Sequence, residues 1–281
     1  MNWLSEIGLI AGREIKKNFR SIKGIILLVI SLLGAGGVAL VLAWLDKQDL
    51  AHGLSQEEVH EGFKKVLSQQ GWYGPGELAD YVSNAPPTLY FMMWGTIWLT
   101  PLVMAIIGFD GIAGELQNRT VRYWNVRTRR WSYYIGKVLG LWAVVSIFIL
   151  MIHASVWCVS IGFGIAPSSH ILKWGLRLYA VTIPIAAAWC GISTLVSSNF
   201  RVPILALLAT CLVFFVLWML KGVGVVLRDS MDALIYVYPN TYDEWLLSPK
   251  PQRVFSGVGA LLGFLFLTTA VGSYIFQKRD V

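Results

Sequence analysis

Apolar residues do not alternate with polar ones along most of this chain; they gather into six runs. The first, Gly24 to Leu45, reads GIILLVISLLGAGGVALVLAWL and carries no charge. The others are Thr88 to Phe109, Val138 to Phe163, Leu176 to Ser198 with Arg177 at its edge, Val202 to Leu220, and Val254 to Phe276. An α-helix crosses the hydrocarbon core of a bilayer in about 20 mostly apolar residues. Lipid offers the backbone no hydrogen-bond partner, so only helices and closed barrels span it. Barrel strands need a two-residue alternation that these runs lack. The pattern therefore predicts an all-α integral membrane protein with six transmembrane helices. Pro101 and Pro184 fall inside runs and predict kinks.

The polar segments between the runs have patterns of their own. Before the first run, Leu4, Ile7, Ala11, Ile15, Phe19 and Ile22 recur at three- and four-residue steps, and Arg13, Lys16, Lys17 and Arg20 recur on another side. Residues 1–23 thus predict an amphipathic helix lying in the headgroup layer, with an ordinary polar extension as the alternative. The charged stretch is too long for a cleavable signal peptide. Residues 24–281 then form the transmembrane domain. In the loop 46–87, SQEEVHEGFKKVLSQQ reads as a helix, with Ser55 and Glu58 as a capping box and Val59, Phe63 and Val66 on one face. GWYGPGE breaks regular structure after it. A partner-binding hairpin and a lid packed on the bundle both fit this loop. Residues 221–253 are too apolar for a solvated loop and too broken to span. They fit short re-entrant helices covered by protein, or one interfacial helix anchored by Tyr236, Tyr238, Tyr242 and Trp245.

Charge adds an orientation. The chain is 56% hydrophobic and 14% charged, against about 25% charged in soluble domains. Six spans place both termini on one face. That face takes Arg13, Lys16, Lys17, Arg20 and Lys23, then Arg119, Arg122, Arg127, Arg129, Arg130 and Lys137, then Arg201, Lys278 and Arg279. The opposite face takes most of the acids, including Asp46, Asp49, Glu57, Glu58, Glu61, Glu77 and Asp80. Lys and Arg accumulate on the cytoplasmic side, so both termini are expected there. This bias also accounts for the net charge of +7 without nucleic acid, although Gly114 to Lys137 interleaves arginines with rings as a single-strand binder would. It removes Asn118-Arg119-Thr120 as a glycosylation acceptor. Cys158, Cys190 and Cys211 are odd in number and lie in apolar runs, which fits packing residues better than a disulfide framework.

Chemistry is sparse. Gly136-Lys137 leads into Val138 without the preceding glycine of a P-loop, and no GxSxG, HExxH or CxxC occurs. No catalytic residue and no metal ligand is expected. His153 is an ionisable group within a span and so a functional candidate; the other reading is a neutral histidine bonded between helices. With Trp94 and Trp98 it marks a candidate substrate path. Gly136xxxGly140 and Gly259xxxGly263 would allow helices to approach closely.

The stretch GELQNRTVRYWNVRTRRWSYYIGK, with Asp110 before it, resembles the segment joining spans two and three in the membrane subunit of ABC-2 type ABC transporters. Asp110, Gly114-Glu115, Thr120, Arg129-Arg130 and Gly136-Lys137 occupy the positions of that family's pattern. The N-terminal helix, six spans, a re-entrant pair before span six and the tail FQKRDV extend the likeness over the chain. Arg119 stands where the family usually has glycine, VRTRRW lacks the usual proline, and the first loop is longer than in the simplest members. The resemblance implies a type V exporter-like fold in the cytoplasmic (inner) membrane. It implies that residues 110–137 form a coupling loop docking on a separate ATPase through Asp110, Gly114, Glu115, Arg119, Thr120, Arg129 and Arg130, with Arg127 to Arg130 shared with lipid headgroups. Two ATPase subunits would hold ATP and magnesium, a second permease copy would complete a homodimer or heterodimer, and cargo would move outward. A non-transporting sensor or scaffold using the acidic loop is the alternative. An intramembrane hydrolase lacks a nucleophile with its base.

Overall fold

A computed structural model describes residues 2–51, 56–69, 76–227 and 231–279. Among them there is no strand. The helices are α1 (Trp3–Arg20), α2 (Ile22–Ala51), α3 (Gln56–Gln69), α4 (Glu77–Val82), α5 (Pro87–Gly108), α6 (Ala113–Gln117), α7 (Thr120–Arg127), α8 (Arg130–Phe163), α9 (Ser168–Asn199), α10 (Pro203–Val226), α11 (Asp243–Leu247) and α12 (Pro251–Lys278). Two short 3₁₀ turns, Asp232–Val237 and Pro239–Tyr242, precede α11. Among the described residues, six helices are long and apolar enough to cross a membrane: α2, α5 with its extension to Gln117, α8, α9, α10 and α12.

These helices outrun their apolar stretches. α8 begins at Arg130 rather than Val138, and α9 at Ser168 rather than Leu176. The expected loop 110–137 is correspondingly shorter and ends at Arg129. The apolar run marks only the part matched to lipid, whereas backbone bonding continues into the polar layer. At about 1.5 Å per residue these helices exceed the ~30 Å hydrocarbon core.

α9 is the hub. It packs on α5, α8, α10 and α12, and most of its residues are buried. Lipid removes the hydrophobic drive between helices, so association depends on close packing and hydrogen bonds. The buried small residues Ala186, Ala187, Ala188, Gly191, Ser193 and Ser197 on α9 meet that need. Ser193 Oγ donates to Met104 O at 3.1 Å, and Ser197 Oγ donates to Phe109 O at 2.9 Å. α2 attaches lightly through Ala35, Ala39 and Ala43; the apolar residues on its other sides, such as Ile30, Leu33 and Val41, face outward, as do Leu208 and Leu212 on α10 and Phe266 on α12.

α1 lies against α8. Cβ atoms at Gly136 and Gly140 would come within 2.8 Å of Ile10 Cβ and 2.7 Å of Glu14 Cβ, so these glycines admit the crossing helix. Gly259 and Gly263 approach nothing within 4 Å. The buried face of α1 is Glu6, Ile7, Ile10, Glu14 and Asn18; of the expected stripe Ile7 is buried, Ile15 and Phe19 pack against the core, and Leu4 and Ile22 are exposed. Two acids sit on the buried side because each has a partner there.

On the face opposite the termini, Phe63 of α3 packs on Tyr90 and Phe91 (ring centroids 5.5 and 5.8 Å), and Leu67 is buried. Glu77 of α4 pairs with Lys250 at 2.6 Å, which holds the Glu77 carboxyl below its ordinary range. The described part of this loop is therefore packed down on the bundle. The capping box at Ser55, the side chain of Val59 and most of GWYGPGE lie outside the described residues.

Residues 238–247 pack between helices, whereas Asp232–Val237 hold no buried residue. Pro101 has no N–H, so the carbonyl four residues earlier, Ile97 O, loses its helical partner. Asn240 Nδ2 donates to that oxygen at 2.9 Å, and Asn240 Oδ1 accepts from Trp189 Nε1 at 2.7 Å. Ile97 stands ten residues inside α5, about 15 Å deep at helical rise. The segment thus meets α5 near the middle of that helix, its polar side chain satisfied by protein. α5 and α9 both continue through their prolines.

Candidate functional site

The connection from α5 to α8 folds as two short helices on the face bearing both termini. α5 ends in a turn at 109–112, where the N–H groups of Ile112 and Ala113 donate to Ser197 Oγ at 3.4 and 3.2 Å. α6 follows. Arg119 then takes the left-handed conformation, φ 56°, and α7 starts at Thr120. Thr120 Oγ1 donates to Glu115 O at 3.3 Å, closing the corner.

Beneath this corner lies a buried ion cluster. Lys137 Nζ donates to Glu115 Oε1 at 2.6 Å, to Gly111 O at 3.1 Å and to Glu14 Oε1. Tyr133 OH donates to Glu115 Oε2 at 2.7 Å and stacks on Phe276 at 5.6 Å. Arg13 and Lys17 stand 3.8 and 4.0 Å from Glu115 Oε1, balancing the second carboxylate. One ammonium therefore ties α1, α6 and α8 together. Removing one partner from a buried pair costs about 3–5 kcal/mol, because the survivor keeps its desolvation penalty. Around the cluster, Lys23 pairs with Asp110 at 2.6 Å, Glu6 Oε2 accepts from the Arg129 N–H at 3.3 Å, and the Arg13 guanidinium lies 4.4 Å over the Trp124 ring.

The structure sorts the residues expected at a partner surface. Glu115 is only 5% exposed and fully engaged within the chain, so it holds the element and is not free for the direct contact its sequence position suggested. Asp110 is turned to Lys23, and Gly114 packs against Asp110 and Pro203. Arg130 Nη1 donates to Gln277 O and Arg279 O at 2.8 and 3.1 Å, so it ties the start of α8 to the end of α12. Arg119, Thr120 and Arg129 are exposed. Sequence reasoning missed the outward face of α7: Arg122, Tyr123, Val126 and Arg127, with Val126 87% exposed and Arg127 lying 4.2 Å over the Tyr123 ring. It also missed Glu14 and counted Lys137 as loop charge. An acid recurring within an otherwise apolar and basic helix was the available signal for Glu14.

The candidate path residues do not converge. His153 is buried between helices, 3.4 Å from Thr96 Oγ1 and edge-on to Tyr179 and Trp157. Trp94 and Trp98 pair at 5.6 Å and line a separate cleft beside the re-entrant segment. Thr96 and Trp94 or Trp98 point to different sides of α5, which separates the histidine from the tryptophans.

Set beside known families, residues 9–281 match the model described as ABC-2 family transporter protein. The chain belongs to the ABC-2 transporter family. No curated protein matches it. Family and fold together make it a multi-pass membrane protein and the permease component of an ABC transporter, a transport part rather than a catalytic one. The ABC-2 family associates with ABC ATPase subunits.

Proposed function

We propose that this ABC-2 permease moves cargo outward across, or out of, the cytoplasmic (inner) membrane, with both termini in the cytoplasm. Two ATPase subunits supply the energy from ATP and magnesium, and a second permease copy completes the pathway. α7 is the coupling helix. The observation that carries this reading is its outward face: Tyr123 and Val126 are exposed among Arg122 and Arg127, on an element whose base is locked by Lys137. An apolar knob with flanking guanidinium groups suits a groove edged by carboxylates. Motion imposed on α7 passes through Glu115 and Lys137 to α1 and α8, because packed ion pairs transmit displacement where a solvated loop would absorb it.

The test is co-purification of the detergent-solubilised permease with its ATPase. Val126→Asp and the pair Arg122→Glu, Arg127→Glu should release the ATPase without lowering the melting temperature. Glu115→Ala should release it and lower the melting temperature. Binding that survives the α7 variants would remove α7 from the interface. The sensor or scaffold alternative gains no support from the acidic loop, whose described helices are packed on the bundle.

A further inference from the structure

α2, α5 and α8 do not close on one another along their apolar middles. Between them lies a groove of about 420 Å³, within the ordinary range of about 300–1,000 Å³ for ligand sites. It runs from Leu27 to Val38 on α2 and from Phe91 to Val103 on α5, with Val145 to Ile152 of α8 as its third wall. No charged residue lines it. Its polar residues are Ser31, Thr96 and Thr100, and the two threonine hydroxyls donate to Met92 O and Thr96 O at 2.7 Å each, so they demand nothing of a ligand. Gly34 and Gly95 hold it open: a Cβ at either would meet nothing within 4 Å. α2 attaches beside this space through small residues, Ala35 and Ala39.

Length and charge name the occupant. Leu27 to Val38 covers about 16 Å at helical rise. That is roughly half of the ~30 Å hydrocarbon core, the share filled by an acyl chain from one leaflet. The end of the groove toward the termini is basic. Phe19 of α1 meets Phe148 of the groove wall edge-on at 5.0 Å, which brings the last turn of α1 to the groove. Lys16 and Arg20, one turn apart on α1, are exposed and make no ion pair or hydrogen bond among the described residues. Lys23 stands at the same end of α2 and is already neutralised by Asp110 at 2.6 Å. Exposed cations beside an acyl-sized groove complement the headgroup of an anionic phospholipid. We propose that the α2–α5–α8 groove binds one acyl chain of an anionic phospholipid whose phosphate lies against Lys16 and Arg20. The lipid fills the space beside the lightly attached α2 and fixes that helix to α5 and α8. Binding needs neither ATPase nor cargo, so it stands apart from the transport reading.

Two lipids with identical acyl chains and different headgroups test this. Phosphatidylglycerol and phosphatidylcholine are titrated into the delipidated full-length permease in non-ionic detergent, and bound lipid is counted by native mass spectrometry. One phosphatidylglycerol should bind per chain, saturably and at least about tenfold more tightly than phosphatidylcholine, and should raise the melting temperature. Gly34→Leu with Gly95→Leu should weaken that binding at least about tenfold by filling the groove. The lipid-free form of this variant should melt no lower than wild type, because both positions have room. Gly263→Leu, at an equally open position on α12, should change nothing. Lys16→Gln with Arg20→Gln should bring the affinity for phosphatidylglycerol down to that for phosphatidylcholine. Binding without saturation, equal affinity for the two lipids, or binding undiminished in the double-leucine variant would overturn the proposal. A wild-type dimer that holds no lipid and dissociates in the double-leucine variant would give the groove to a second copy and overturn it as well. No ATPase is present, so failure here leaves the α7 docking result intact, and failure of docking leaves this one intact.

Discussion

Asn240→Ala should destabilise the bundle, and Pro101→Ala should restore part of the loss. The wild-type amide serves two buried groups, Ile97 O at 2.9 Å and Trp189 Nε1 at 2.7 Å. Leaving a buried donor or acceptor unsatisfied costs about 1–3 kcal/mol, while hydrogen bonds between membrane helices average about 0.6 and reach about 1.7 kcal/mol. The two losses together should come to about 1–4 kcal/mol. Ile97 O depends on Asn240 because Pro101 has no N–H. The substitution Pro101→Ala supplies that N–H along the helix, and a carbonyl with two lone pairs can accept both donors. Asn240→Ala should therefore cost about 1 kcal/mol less in the Pro101→Ala background. The Trp189 share should persist in both. SDS unfolding in mixed micelles, followed by tryptophan fluorescence, measures the four variants of the cycle. Equal costs in the two backgrounds, within the ~0.3 kcal/mol expected of independent sites, would refute the link between proline and re-entrant segment.

Other outcomes follow from single residues. Arg119→Gly should stabilise the permease by up to about 1 kcal/mol, because the position is left-handed (φ 56°) and glycine adopts that conformation without strain; chemical unfolding would show it. Lys137→Met should cost about 3–5 kcal/mol by stranding Glu14 and Glu115 and should expose α1 to protease before the other helices. Loss of hydration, and then the neighbouring Glu244, push the Asp243 carboxyl up to about 7 from an ordinary 3.8, so the native state favours its neutral form. Its contribution to stability should fall as pH rises from about 4 through 7 and then level off. The charged neighbours acting on it are Glu244 and Lys221. Melting curves from about pH 5 to 8 should show a smaller decline for Asp243→Asn than for wild type.

The six spans were legible because lipid demands long apolar helices, and the resemblance of the segment after span two pointed to the family that the whole chain matches. Helix ends were not legible: the chain from Arg130 to Lys137 reads as loop until the buried partners of Lys137 are known. α1 was read as a helix with Ile7, Ile15 and Phe19 on its packed side, but Glu6 and Glu14 were missed there, since hydropathy places them in water while their partners place them inside. Glu115 was singled out, but its burial against Lys137 and Tyr133 was not legible for the same reason. The prolines were read as kinks, but the partner of the Pro101 gap lies more than a hundred residues away at Asn240, beyond any local pattern. Arg119 shows the converse, for the glycine usual at that position anticipates the left-handed turn seen here.

The central claim is that α7 carries the ATPase on a base anchored by Lys137. A photo-crosslinker placed at Val126, the most exposed apolar residue of the element, tests it most directly, with the same group at Val226 on the opposite face as control. The account predicts an adduct with the ATPase from position 126 and none from 226. An ATPase that co-purifies yet crosslinks at neither position, or at 226 alone, would contradict it.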